Sequence, residues 1–170
     1  MTTHSVVKSL IVLLTLVMSA ACAFGQAPPA TSVYLIPLGP PIGVETAKKA
    51  AAAALAEARK NGWLQTVAVV DPNGTLVYYE KMDNVELATA ELAIDKARSA
   101  ALYKRPTKVF QDGLEKGGRN LLILALKGAS PIEGGLPIIA DGKLIGAIGL
   151  SGDLPQNDGQ CAAAGVAALK

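Results

Sequence analysis

Glu91 and Asp95 stand four residues apart, the spacing that puts two carboxylates on one face of a helix. Such a pair could act as acid and base or hold a hard metal ion. A plainer arrangement competes with it. Asp95 can pair with Arg98 while Glu91 faces solvent, and no third carboxylate follows at matching spacing. Cations crowd the same stretch: Lys96, Arg98, Lys104 and Arg105. The only histidine is His4, so neither a histidine-dependent triad with a spare base nor a multi-histidine metal site can be assembled. No phosphate-binding loop, dinucleotide fingerprint, nucleophile elbow or zinc spacing occurs.

The elements that must position these groups belong to a chain of 170 residues, 51% hydrophobic and 18% charged, with a net charge of +2. That length fits one core. The balanced charge excludes the strongly basic footprint of a general nucleic-acid binder, and the apolar fraction excludes a disordered chain. Val44–Lys60 is dense in strong helix formers and ends at Asn61-Gly62; its large apolar residues are few, so it must pack through alanine. Two β-rich runs, Gln65–Val70 and Thr75–Lys81, flank Asp71-Pro72-Asn73-Gly74, a hairpin signal. A second helix is predicted from about Val85 to Tyr103, capped by Asp83 or Asn84 and stopped by Arg105-Pro106-Thr107. Leu87, Ala90, Ile94, Ala97 and Ala101 form one stripe on it; Ala88, Leu92, Ser99 and Tyr103 form a second. A short helix over Thr107–Lys116 follows, then Gly117-Gly118 and the apolar run Leu121–Leu126, read as a strand. Leu136–Ala140 and Lys143–Leu150 flank Asp141-Gly142, a second hairpin, and Asn157 or Asp158 caps a closing helix over Gly159–Leu169. Tight hairpins imply antiparallel pairing, so the expectation is an α+β domain with about five antiparallel strands flanked by helices.

The most specific stretch is Gly134-Gly135-Leu136-Pro137, then Asp141-Gly142, then Gly146-Ala147-Ile148-Gly149-Leu150-Ser151-Gly152, ending in Gln160-Cys161-Ala162 and Ala164-Gly165. Gly146 and Gly149 point to opposite faces of a strand, so something must approach the backbone closely on each side. The Ala/Gly-rich closing helix is a candidate for one of them. Earlier in the chain stand Val69-Val70-Asp71, Lys81-Met82-Asp83, Asp95-Lys96-Ala97 and Arg105-Pro106-Thr107. Together these resemble the GlcG/HbpS family of haem-binding proteins, which includes the C-terminal domain of corrinoid adenosyltransferases. The resemblance spans roughly Val44 to Leu169. It implies a profilin- or PAS-like fold, assembly into homo-oligomers and haem binding in some members, with haem degradation suggested for the group.

A haem site needs an apolar slot, cations or hydrogen-bond donors for the propionates, and usually an axial ligand. On this reading the slot lies on the Leu92/Tyr103 face of the second helix. The candidate contacts are Met82, Lys96, Arg98, Ser99, Tyr103, Arg105 and Thr107. Ligation must avoid histidine: Tyr103, Tyr78, Tyr79, Met82 and Cys161 are the available donors, or a weak oxygen donor, or none. Each has an ordinary alternative. Met82 can be packing, Tyr103 can cover a helix face, Cys161 can be a small buried residue, and Arg105 can favour the helix C-terminus. The reading favours an exported binding protein for haem or a related tetrapyrrole, in storage, sensing or delivery, over an enzyme. The alternatives are an enzyme or accessory acting on haem or a small organic acid, and an assembly module. No nucleic acid partner and no membrane span are expected.

Lys8, the apolar run Leu10–Met18 and the small residues up to Gly25 describe a secretory signal peptide over residues 1–25. Residues 26–43 read as an extended lead-in and 44–170 as the domain. Cleavage after Gly25 removes His4 and Cys22, leaving Cys161 without a partner and pointing to a periplasmic or extracellular location. Cys22 offers a second possibility, lipid anchoring, but Ser19 stands where such signals favour leucine.

Overall fold

The computed structural model describes residues 35–170. The signal segment, with His4 and Cys22, and the first half of the lead-in lie outside the described residues. Helix α1 (Val44–Asn61) ends where Gly62 takes φ 73°, letting the N–H groups of Gly62 and Trp63 close on the Arg59 and Ala58 carbonyls. As expected, it packs through alanine: Ala47, Ala50, Ala51, Ala54 and Ala58 are buried beside Leu55. Strands β1 (Thr66–Val70) and β2 (Leu76–Lys81) form the first hairpin. The Asp71 carboxylate holds its turn by accepting from the Asn73 and Thr75 N–H groups.

Helix α2 (Thr89–Tyr103) starts later than the sequence suggests, because Asn84 at φ 63° turns the chain first. Its buried set differs too: Ala93, Lys96, Ala97, Ser99, Ala100 and Ala101 face inward, while Leu87 precedes the helix and is 87% exposed. Helix α3 (Lys108–Glu115) follows, then β3 (Gly135–Ala140) and β4 (Lys143–Ser151), joined by Asp141 and Gly142 at positive φ. Helix α4 (Pro155–Ala167) closes the chain.

The sheet runs β2-β1-β4-β3 with every neighbour antiparallel, which bears out the α+β expectation with four strands among the described residues instead of about five. The missing strand is Leu121–Leu126: those residues lie in and just after a 3-10 helix, Gly118–Ala125, with no sheet partner among the described residues. Gly117 and Gly118, both at positive φ, divert the chain away from the sheet. The lead-in supplies a partial replacement. Leu38 bridges Leu144 in parallel, and the Gly39 and Ile42 N–H groups bond to the Leu144 and Ile145 carbonyls, beyond the end of β1.

Central strand β1 is buried on both faces and sorts its side chains by alternation. Val67 and Val69 join Leu55, Ile148, Leu150 and Cys161 under α1 and α4; Ala68 and Val70 meet Ala93, Ala97 and Ala100 of α2. The strand glycines behave as their spacing requires, one per face. A Cβ on Gly149 would collide with the Ala93 carbonyl oxygen and stand 2.5 Å from the Ala97 nitrogen of α2. A Cβ on Gly146 would meet the Val70 carbonyl and Ile42, not the closing helix. That helix instead nests on α1, where a Cβ on Gly165 would lie 2.8 Å from the Ala50 carbonyl oxygen.

Cys161 is fully buried in this layer, and burial pushes its thiol up to about 12. Thiolate, the reactive form, is then scarce at neutral pH. In a Cys22→Ser background, native protein is expected to resist iodoacetamide and to alkylate at Cys161 only when unfolded by urea. Native alkylation at the rate of a free thiol would refute the buried placement.

Candidate functional site

The outer face of α2 carries two adjoining cavities that share Leu92 and Ile132 as walls. The larger, about 430 Å³, lies where α2 and α4 begin; Glu86, Thr89, Lys96, Ser151, Asp153, Leu154 and Asp158 contribute to it. The smaller, about 370 Å³, lies farther along α2 and is lined by Asp95, Arg98, Leu102 and the segment Gly128–Ile132. Two bonds pin that segment: the Ser130 N–H donates to Ser99 Oγ at 3.0 Å, and the Tyr103 hydroxyl donates to the Lys127 carbonyl at 2.7 Å.

At the first cavity, Lys96 Nζ meets Asp158 Oδ2 at 2.6 Å, with the two side chains only 1% and 2% exposed. Gln65 Nε2 donates to Asp158 Oδ1 at 2.7 Å, and the Asp153 N–H reaches the same oxygen at 3.2 Å. Burial pulls the Lys96 ammonium below its ordinary range and pushes the Asp158 carboxyl above its own, each opposed by the partner's charge. Two consecutive glycines leave room for this lysine. A Cβ on Gly134 would stand 2.9 Å from Lys96 Nζ, and one on Gly135 would collide with the Lys96 carbonyl. Asp158 therefore sits inside the first turn of α4, not at its cap; Asp153 Oδ1 accepts from the Leu154 N–H instead.

The seven residues proposed from the sequence are dispersed. Arg98 lines the 370 Å³ cavity, and its Nε donates to the Gly74 carbonyl at 3.1 Å. Ser99 and Tyr103 brace that cavity's wall through the bonds above. Lys96 belongs to the other cavity. Thr107 is fully buried, its Oγ1 accepting from the Gly135 N–H. Arg105 lies over the Phe110 ring at 5.4 Å, and Tyr103 packs edge-on to the same ring. Met82 is apart from them all, at a polar cavity with Arg59, Glu80, Lys81 and Asp83, its sulfur accepting from the Gln65 N–H. Tyr78 donates to Glu80, which pushes its phenol up and works against a phenolate. Glu91 and Asp95 are both exposed, and among the described residues no group of three or more His, Cys, Asp or Glu could hold a metal ion. No described helix is long and apolar enough to cross a membrane.

Sequence reasoning missed Gln65, Asp158 and Ile132. For Gln65 and Asp158 the one available signal was a polar residue inside an apolar stretch, which for Asp158 in an Ala/Gly-rich helix reads equally well as a cap; Ile132 carried none.

Comparison with known proteins adds four findings. The family model described as "Haem degrading protein HbpS-like" matches residues 42–167. Protein GlcG of Escherichia coli strain K12 is 38% identical over 100 residues, covering 59% of this chain and 73% of its own. Among solved structures, a variant of HbpS from Streptomyces reticuli superposes with a TM-score of 0.71 at 30% identity, over 85% of this chain and 98% of that one. A PduOC:heme complex gives a TM-score of 0.68 at 27% identity, over 75% and 94%.

Proposed function

The chain belongs to the HbpS-like family, and from that footing we propose that it is an exported, oligomeric haem-binding protein whose pocket is the 370 Å³ cavity on α2. What carries the reading is the family match across the whole folded domain, beside a structural relative crystallised with haem. The residues present fit one edge of such a ligand. Leu92, Leu102, Pro131 and Ile132 supply apolar walls, and Arg98 supplies a cation for a propionate. The volume lies near the lower end of the roughly 300–1,000 Å³ usual for small-molecule pockets, so much of the macrocycle stays outside. The apolar surface of Val109, Leu121, Leu122, Leu124 and Leu126, all at least 41% exposed, supports assembly of copies.

Of the donors, Cys161 is sealed, Tyr78 is tied to Glu80, Tyr79 packs against the alanine cluster of α2 and Met82 stands at another cavity, leaving Tyr103, whose hydroxyl donates to the Lys127 carbonyl beside the pocket. Such a donor set holds iron weakly, which suits exchange more than a permanent redox centre. Haemin titrated into the protein is expected to give a saturable Soret shift. Arg98→Ala should weaken binding roughly 10- to 100-fold, the worth of a charged hydrogen bond. A spectrum matching haemin mixed with an unrelated protein would end the proposal. Haem degradation, the activity in the family's description, is the second reading; loss of bound haem with product release under a reductant would favour it.

A further inference from the structure

The Lys96–Asp158 pair forms part of a cavity wall that the haem reading does not use. A buried ion pair is a poor stabilising device, often no better than apolar residues of equal volume. Here a Cβ on Gly134 would crowd both partners, 2.9 Å from Lys96 Nζ and from Asp158 Cβ, and the pair, 1% and 2% exposed, lines a cavity on one side. We propose that the 430 Å³ cavity captures small uncharged aldehydes or ketones, with the Lys96 amine as the reacting group and Asp158 as its proton acceptor.

The chemistry closes without any oxidant or co-reactant. Asp158 takes a proton from the Lys96 ammonium at the 2.6 Å contact. The freed nitrogen lone pair attacks the carbonyl carbon, a C–N bond forms, and the carbonyl oxygen takes up the proton. Loss of that oxygen as water, with a second proton relayed from nitrogen through Asp158, leaves a protonated imine, so one carbonyl is consumed and one water released. Desolvation favours the neutral amine that this step requires. The walls set the ligand class. Glu86, Asp153 and Asp158 outnumber the one lysine, which disfavours an anionic carbonyl compound, and Leu92, Ile132, Leu154 and Pro155 suit a short apolar substituent.

The test is reductive trapping on the full chain, with propionaldehyde as probe and cyanoborohydride as reductant, read by peptide mass mapping. Lys96 is expected to alkylate roughly tenfold faster than the exposed Lys48 and Lys60. Leu92→Trp, which narrows the cavity, should suppress labelling at Lys96 and leave Lys48 and Lys60 unchanged. Ile132→Phe serves the same purpose should the tryptophan variant not fold. The anionic probe glyoxylate should label Lys96 more slowly than propionaldehyde. An unlabelled Lys96 in folded protein, or one labelled no faster than Lys48 and Lys60, overturns the proposal. So does labelling that ignores a filled cavity. Haemin binding is a separate readout, so either reading can fail alone.

Discussion

Gly149→Ala is expected to destabilise the domain by about 3 kcal/mol or more, at or above the upper end of ordinary overpacking. The added methyl would enter the Ala93 carbonyl oxygen and approach the Ala97 nitrogen to 2.5 Å. Both obstacles are helix backbone, and backbone cannot turn aside as the tip of a lysine can. Relief therefore requires α2 to lift from β4 along the seat formed by Ala93, Ala97, Ala100 and Ala147. Lifting it would open contacts that are individually small and collectively large. Gly43→Ala is the control: a Cβ there meets nothing within 4 Å, and the residue sits at φ −79°, which alanine adopts freely. It should remain within about 0.5 kcal/mol of wild type. Urea unfolding followed by circular dichroism measures both. A wild-type midpoint for Gly149→Ala would mean that α2 does not rest on β4 as closely as described.

This seat also explains which parts of the fold could be read from the sequence. Hairpins announce themselves locally. Asn73-Gly74 and Asp141-Gly142 carry positive φ at three of four positions beside β-rich runs, and both hairpins lie within a residue or two of where the sequence puts them. The two-sided crowding at Gly146 and Gly149 was legible as well, because strand periodicity alone assigns their faces. The inward face of α2 was not. Large apolar residues usually mark the buried side, but a helix pressed against glycine needs small ones, so Ala93, Ala97 and Ala100 go in while Leu102 stays half exposed. Leu121–Leu126 failed for a related reason. An apolar run signals burial without naming the partner, and among the described residues that run has no sheet neighbour.

Lys96 was the least legible residue of the site. Counted as a surface cation available to a propionate, it is instead among the most completely buried side chains, and its partner Asp158 is 62 residues away. No local pattern links them. Asp158→Ala is accordingly expected to cost about 3–5 kcal/mol, since it strands a buried ammonium whose carboxylate partner is lost. Gln65 would lose its Nε2 acceptor in the same change, and its Oε1 already lacks a partner among the described residues. The double variant Lys96→Met/Asp158→Leu should recover most of that loss, because apolar side chains of similar volume need neither desolvation nor mutual attraction. Such a cycle separates what the pair does for folding from what it does at the cavity. If the double variant folds with near wild-type stability, the fold does not need the ions, and their place at the cavity is left to chemistry. If it is as unstable as Asp158→Ala alone, the pair is structural, held by the Gln65 and Asp153 bonds that surround it.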